Sequence, residues 1–329
     1  MNARLLALLQ EADGFVSGER LSRELGISRT AVWKRIRRLE DEGFVFETVP
    51  RLGYRLLRAP QRLSPERLLG LLADVPFVAS VKVLESTAST QNEAYRAVLD
   101  GAGEGLVIIA EEQTMGRGRL GRSFFSPPGA GVYMSFLLRP DIPPGRAPQI
   151  TLLLSAALCR AVRKAAGLDA KIKWPNDIVI RGRKASGILV ETILEADRVR
   201  MMIAGIGVNV NTLRAQFPPE LAGKVTSLRE ECGREVPREE LIAAFFAEFA
   251  RLYALYRTEG FAPIKTLWEA HADTLGRRVR VETPQGTFEG MAEGVTEEGA
   301  LLLRDGAGRL RPVYSGDLGP AAELEAAEE

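Results

Sequence analysis

Six apolar runs in the middle of the chain restrict its fold more than any other feature. They are "SVKVLES" (80–86), "LVIIAEE" (106–112), "VYMSFLLRP" (132–140), "AKIKWPNDIVI" (170–180), "ASGILVETIL" (185–194) and "RMMIAGIGVNV" (200–210). They follow one another in succession, with helical patterns only at 90–100, 147–166 and "EELIAAFFAEFARLYALYR" (239–257). Strict alternation of strand and helix would dictate parallel strands with crossover helices. Succession predicts a mixed or antiparallel sheet with helices packed on it, an α+β arrangement. This segment runs from about residue 65 to 270.

The two ends of the chain read differently. In residues 1 to about 60, "ARLLALLQEA" has apolar residues at helical spacing. "SGERLSRELG" opens on Ser17 as a cap and stops at Gly26, and "SRTAVWKRIRRLEDEG" opens on Ser28 and stops at Gly43. The last of these buries Val32, Ile36 and Leu39 on one stripe. Two helices joined by the tight "GIS" form a helix-turn-helix pattern, and "FVFETVPRLGYRLL" adds two short strands, a wing. "APQRLSP" (59–65) reads as a linker. From about 275 to 320, "RRVRVET", "GTFEGMAEGV", "GALLLRD" and "RLRPVYS" are short strands separated by "PQ", "TEE" and "GAG", which predicts a small all-β barrel. The expected architecture is therefore multidomain α+β, with domains at 1–60, 65–270 and 275–320.

A length of 329 residues accommodates two or three domains, and 46% apolar residues suffice for ordinary cores. The formal net charge of +1 means that any basic surface must be local. Cys159 and Cys232 stand far apart with no His or Cys at ligand spacing, which argues against a disulfide framework or a zinc site. "MNARLLALLQ" is too short an apolar core for a signal peptide. "ITLLLSAALC" (150–159) is half a membrane span. The expectation is a cytoplasmic protein without a membrane partner. The chain has no internal repeat, and its one biased tract is the acidic tail "AAELEAAEE".

Four stretches carry chemistry. In "GRGRLGR" (116–122), Gly116, Gly118 and Gly121 interleave with Arg117, Arg119 and Arg122 directly after a buried strand. Glycine permits close backbone approach and positive φ, and arginine offers a fixed charge and a planar fork for phosphate or carboxylate. The stretch is not a P-loop, because no Gly-Lys-Ser/Thr follows. Taken alone it fits an anion-wrapping ligand loop, a solvated basic loop or an RNA-contacting tract. In "KIKWPNDIVIRGRKASGILVE" (171–191), Lys173, Trp174, Pro175, Asn176 and Asp177 crowd a turn, and Lys184 precedes a buried run. Lys184 reads either as a cation at a sheet edge facing a pocket or as a solvated lysine. In "STASTQNEA" (86–94), Ser89 and Thr90 are at least helix caps. In "GIGVNVN" (205–211), Asn209 and Asn211 need partners if buried.

Together, in order and spacing, "STQNEA", "AEEQTMGRGRLGR", "KWPNDIVIRGRKASGILVE" and "GIGVNVN" resemble the biotin–protein ligases. With a winged helix in front and a small β segment behind, nearly the whole chain is similar to the bifunctional bacterial biotin ligases that also repress the biotin operon. The related lipoate ligases have a different Arg-rich, glycine-triplet and His signature. The single histidine, His271, lies outside these motifs.

The resemblance implies a central mixed-sheet domain of the biotin/lipoate ligase type and a C-terminal SH3-like barrel. It implies two steps: biotin carboxylate attacks the α-phosphate of ATP, giving biotinyl-AMP and pyrophosphate, and a lysine of a biotin carboxyl carrier protein then takes the biotin. Carried onto this sequence, Ser89, Thr90, Gln91 and Gln113 contact the biotin head group, and Arg117, Gly118 and Arg119 form the biotin and phosphate loop. Lys184 lies between carboxylate and α-phosphate, and Gly187 lets the chain pass close to the biotin ring. Arg119, Arg122, Asn176, Asp177 and Asn209 serve ATP and the adenylate. Asp177 is also the candidate Mg2+ ligand and base. Lys184, Arg117 and Arg119 are the catalytic set.

The resemblance further implies operator DNA as a partner, with Ser28, Arg29, Thr30, Lys34 and Arg35 as candidate contacts beside Arg37 and Arg38, and a homodimer formed on adenylate binding. Two alternatives are a ligase whose winged helix no longer represses and a sensor without catalysis. The retention of Lys184 and the Gly-Arg loop speaks against the sensor. Two positions depart from the usual pattern: Leu120 replaces a basic residue, and Phe124 replaces Trp. The three loop arginines are expected to lack an anionic partner until ligand arrives.

Overall fold

The computed structural model of the chain describes residues 2–12, 14–41, 44–58, 62–283 and 286–320. The expected helix end at Gly43, residues 59–61 of the linker, the "PQ" turn at 284–285 and the acidic tail lie outside the described residues. The chain divides into two units, one comprising the described residues up to Arg62 with Pro127–Ala130, the other the described residues of 63–126 and from 131 onward.

The first unit contains α1 (Asn2–Gln10), α2 (Gly18–Leu25), α3 (Arg29–Asp41), and a hairpin of β1 (Val45–Val49) and β2 (Gly53–Arg58). Ser17 caps α2 by accepting from Arg20 N, and Gly26 ends it at φ +64°. Ser28 then accepts from Ala31 N at 3.1 Å. The expected stripe of Val32, Ile36 and Leu39 is buried with Leu5, Leu9, Val16 and Leu21 in a core of its own. The opposite face of α3 stays in solvent, where Arg29, Thr30, Lys34, Arg37 and Arg38 are exposed and Arg35 is half-buried.

The second unit opens with α4 (Pro65–Leu72), β3 (Ser80–Leu84), α5 (Thr90–Leu99), β4 (Leu106–Ala110), β5 (Gly131–Leu138) and α6 (Ala147–Ala166). β6 (Lys171–Lys173), β7 (Asp177–Ile180), β8 (Arg183–Glu195), β9 (Arg198–Asn209), α7 (Leu228–Cys232), α8 (Arg238–Glu259) and α9 (Ala262–His271) follow. Seven strands form one sheet in the order β3-β4-β5-β9-β8-β7-β6. Only β3 and β4 run parallel, so the sheet is mixed, as the succession of runs requires.

Both faces of the sheet are covered. Val132, Met134, Phe136 and Leu138 of β5 pack with α6 and α8, and Ile108, Leu137 and Ile203 pack under Ala94 and Val98 of α5. The aromatic face of α8 (Phe245, Phe246, Phe249) surrounds Phe136. Each such fully buried ring contributes roughly 1.5–3 kcal/mol, which makes β5 the fixed rail of the unit. The run 170–180 is two strands, not one. Pro175, preceded by a cis bond from Trp174, has no N–H for a ladder, and the chain turns there so that Lys173 pairs with Asp177.

The C-terminal segment corrects the expected barrel. β10 (Arg278–Thr283), β11 (Gly286–Val295), β12 (Leu301–Arg304), β13 (Leu310–Val313) and β14 (Asp317–Pro320) form an open sheet in the order β13-β12-β11-β10-β14. The two edge strands are not hydrogen-bonded to each other. Each has four residues and includes a proline, Pro312 or Pro320, which cannot donate to a ladder. The apolar face has another cover. Val279, Val281, Ala292, Val295, Leu301, Leu303 and Val313 join the core built on α6, α8 and α9, so the sheet buries its face without closing on itself.

Candidate active site

A cleft of about 730 Å³ opens in the second unit, and every ligand-binding candidate named from sequence lines it: Ser89, Thr90, Gln91, Gln113, Arg117, Gly118, Arg119, Arg122, Asn176, Asp177, Lys184, Gly187 and Asn209. The α3 residues Ser28, Arg29, Thr30, Lys34 and Arg35 belong to the first unit.

The inner end of the cleft is built from buried polar groups. Ser89 caps α5, accepting from Gln91 N at 3.3 Å. Thr90 N donates to Gln113 Oε1 at 2.9 Å, and Gln113 Nε2 donates to Ser126 Oγ at 3.0 Å. Ser135, on β5, links Thr90 (2.8 Å) to Gln91 Oε1 (3.0 Å). Sequence reasoning missed Ser135. Its signal is a single hydroxyl in an otherwise apolar strand.

The Gly-Arg loop folds as a small hairpin. Gly118 N donates to Arg122 O (2.7 Å), Phe124 N to Gly116 O (2.8 Å), and Arg117 bridges Ser123. Gly116 is required, since a Cβ there would stand 2.4 Å from Phe124 O. At the tip Leu120 (φ +54°) and Gly121 (φ +74°) are both left-handed. That geometry suits glycine and is uncommon for leucine, whose side chain is exposed. Phe124 lies over Gly207, where a Cβ would meet its ring at 2.6 Å.

The expectation that the arginines stand without anionic partners fails for Arg117 and Arg122, while Arg119 is held by neutral groups. Arg117 pairs with Glu191 (2.6 Å) and reaches Asn92 (3.2 Å). Arg122 pairs with Asp317 at the start of β14. Arg119 donates to Asn176 Oδ1 at 3.1 Å. Burial holds the Arg119 guanidinium below its ordinary value, against the opposing pull of Asp317 and Asp177. Carboxylates that sequence reasoning did not assign to the site therefore neutralise the loop.

Opposite the loop, Lys184 Nζ lies 2.7 Å from Asp177 Oδ1. Two features set this geometry. The β7–β8 register shifts between Ile178 and Val179, re-aiming the strand at Lys184. Gly187 leaves room for the ammonium, since a Cβ would lie 3.0 Å from Nζ. Asp177 Oδ1 is buried, and the Lys184 ammonium is its partner. Asn176 is committed at both ends, with Nδ2 donating to Ile188 O at 2.6 Å. Asn209 Nδ2 holds Thr226 O at 3.1 Å, and the 224–226 segment pairs in turn with the Lys184 backbone. Asn211 exchanges hydrogen bonds with the Val236 backbone. Lys173, singled out in its turn but given no role, also lines the cleft, as do Lys224 and Asp317, which were not identified from sequence.

Among the described residues no helix is long and apolar enough to cross a membrane, and no group of three or more His, Cys, Asp or Glu side chains could hold a metal. The cleft is a cation-rich site with one carboxylate oxygen buried against Lys184 and a neutral polar end. Such a site suits a ligand with an anionic part and a small polar ring.

Comparison with known proteins follows the same division. The Biotin/lipoate A/B protein ligase family matches residues 82–209, an HTH domain matches 3–55, and the biotin protein ligase C-terminal domain matches 274–318. The bifunctional ligase/repressor BirA of Bacillus subtilis (strain 168) is 43% identical over 310 residues, 94% of this chain and 95% of that protein. That of Escherichia coli (strain K12) is 34% identical over 318 residues, 96% and 95%. Among solved structures, the biotin protein ligase from Aquifex aeolicus in complex with biotin and ATP superposes with a TM-score of 0.63 at 29% identity, covering 73% of this chain and 98% of that one.

Proposed function

This chain belongs to the family of bifunctional biotin ligase/repressors, and from that premise we propose how its own residues perform the two half-reactions. It is an ATP-dependent biotin–protein ligase and a DNA-binding repressor. The observation that supports the residue assignment best is that the Gly-Arg loop, Lys184 and Asp177 meet in one cleft with the buried Thr90–Gln91–Gln113 end. Its volume of about 730 Å³ is in the range of small-molecule sites.

In the first step an oxygen of the biotin carboxylate attacks the α-phosphorus of ATP, and the bond to the β-phosphate oxygen breaks to release pyrophosphate. At about 4 Å two such anions repel by about 4 kcal/mol at an effective dielectric of 20. Lys184 sits between them and stabilises the charge of the transition state. Arg117, Gly118 and Arg119 cover the carboxylate and α-phosphate and exclude water from the mixed anhydride. Arg117 and Arg122 exchange Glu191 and Asp317 for the ligand's anions as it arrives. Arg119, held by Asn176, and Asn209 flank the nucleotide, and Gly187 permits close approach of the biotin ring. In the second step the acceptor lysine amine attacks the acyl carbon, the bond to AMP breaks, and the amine loses a proton, for which Asp177 is the candidate base.

Mg2+ commonly takes one or two carboxylates with the rest of its shell from phosphate and water. The Asp177 carboxylate, which lines the cleft, is of the type that donor set uses. A magnesium ion held by Asp177 and the ATP phosphates would supply charge neutralisation.

We divide the functions at 1–60 for DNA binding, 65–270 for catalysis and 275–320 for the C-terminal sheet. The acceptor is a biotin carboxyl carrier protein. The basic exposed face of α3, with Ser28, Arg29, Thr30, Lys34 and Arg35, contacts operator phosphates and bases, and an adenylate-bound homodimer pairs two such helices on a two-fold site. Transfer of radiolabelled biotin to a carrier domain, with and without ATP, tests the ligase assignment. ATP-dependent labelling is expected, and labelling that ignores ATP would refute it.

A further inference from the structure

The proton positions at the buried end of the cleft follow from its hydrogen bonds. Gln91 Nε2 donates to the Ile203 carbonyl at 3.1 Å. A carbonyl only accepts, so the amide is oriented with Oε1 toward Ser135. That oxygen is pressed against the sheet, since a Cβ on Gly205 would meet it at 2.5 Å. Ser135 Oγ lies 3.0 Å away and must donate to it, which spends the one proton of the serine hydroxyl. Thr90 Oγ1 lies 2.8 Å from Ser135 Oγ, and with Ser135 committed, Thr90 is the donor. Gln113 Oε1, at 3.1 Å, is a second and weaker acceptor for the Thr90 O–H, since it is farther and shares itself with the Thr90 N–H. Ser135, Gln91 and Thr90 are all buried. The Thr90 hydroxyl therefore faces the cleft with a lone pair and no proton.

We propose that Ser135 is a positioning residue for ligand selection: by spending its own proton on Gln91 it draws the proton of Thr90 and fixes that hydroxyl as an acceptor. This end of the cleft then takes a ring N–H and rejects a ring oxygen at the same place. The inference rests on the biotin reading for the identity of the ligand, whose cyclic urea carries two N–H groups.

The test is calorimetric binding to the full-length protein, without ATP, of biotin and of two cyclic carbamates in each of which one ring N–H is replaced by oxygen. The wild-type protein is expected to bind one carbamate about 100-fold more weakly than biotin. In Ser135→Ala the Thr90 hydroxyl can turn and donate, and the gap closes to about fivefold. Ser135→Thr, which keeps the hydroxyl, restores it. In a Thr90→Val background Ser135→Ala leaves the ratio unchanged, because the two residues act as one unit. Gln91→Met, which frees the Ser135 proton, collapses the ratio independently and serves if Ser135→Ala fails to fold. Ser135→Ala weakening all three ligands by one common factor overturns the proposal and leaves the biotin reading standing. A wild-type protein that binds none of the three overturns both.

Discussion

Replacing Lys184 by Ala removes the single ammonium placed against Asp177. The native pair is 2.7 Å apart, and Asp177 Oδ1 is buried against the lysine. Loss of one preorganised charge-stabilising contact in such a site costs roughly 3 kcal/mol, about a hundredfold in rate. The substitution also leaves the Asp177 carboxylate unneutralised toward incoming phosphate, so the expected loss is at least that factor. The fold should survive, because Lys184 holds its neighbours through its backbone, donating to Lys224 O at 3.0 Å and accepting from Thr226 N at 2.9 Å. Single-turnover formation of biotinyl-AMP by rapid quench is the assay, with an unchanged thermal midpoint as control. Lys184→Arg keeps the charge, but the space over Gly187 is shaped to a slim amine, and it should recover less than about a tenth of the lost rate. Adenylation by Lys184→Ala within about threefold of wild type would refute the role.

Gly187→Ala pushes a methyl to 3.0 Å from Lys184 Nζ. The flexible end of the lysine yields by a few tenths of an ångström, so adenylation should fall about tenfold or more by misplacement while stability changes little, and equal rates would show that the amine has slack. Burial pushes the Cys159 thiol up to about 12, so at pH 8 only about one part in ten thousand is thiolate; a native protein titrated with a thiol reagent should show Cys232 alone reacting, and both on denaturation. Deleting residues 1–60 should leave ligase activity and abolish operator binding, since the cores of the two units are separate clusters, and a truncated protein that shifts operator DNA with full affinity contradicts the assignment. Sedimentation with no ligand, with biotin and with a non-hydrolysable adenylate should give progressively tighter dimers, because exchanging Glu191 and Asp317 for ligand anions changes the surface the Gly-Arg loop presents; equal constants in all three states rule out that coupling.

The kind of sheet was legible because each run is apolar enough to be buried and succession without helices favours antiparallel neighbours, whereas the strand order itself was not read from sequence. The candidate ligand residues were legible as local motifs, and each lines the same cleft. What sequence could not supply was pairing at a distance. The carboxylates that hold Arg117 and Arg122 lie 74 and 195 residues away, and no local pattern marks them. β14 escaped because "DLGP" has one large apolar residue among turn formers, and with it went both Asp317 and the true edge of the C-terminal sheet. Ser135 needed the β5 register before its hydroxyl could be set against Gln91.

The fastenings of the Gly-Arg loop differ from the inner end of the cleft in how they meet solvent. Arg117–Glu191 and Arg122–Asp317 are partly exposed, with the arginines 44% and 66% accessible, and such pairs weaken as salt screens them. Ser135, Thr90 and Gln91 are out of reach of ions. Ionic strength therefore acts on how readily the empty loop gives up its two carboxylates to an arriving ligand and leaves the choice of ring untouched. Ligand capture in a ligase built this way follows its ionic surroundings, and one of the two clasps on the empty loop is anchored in β14.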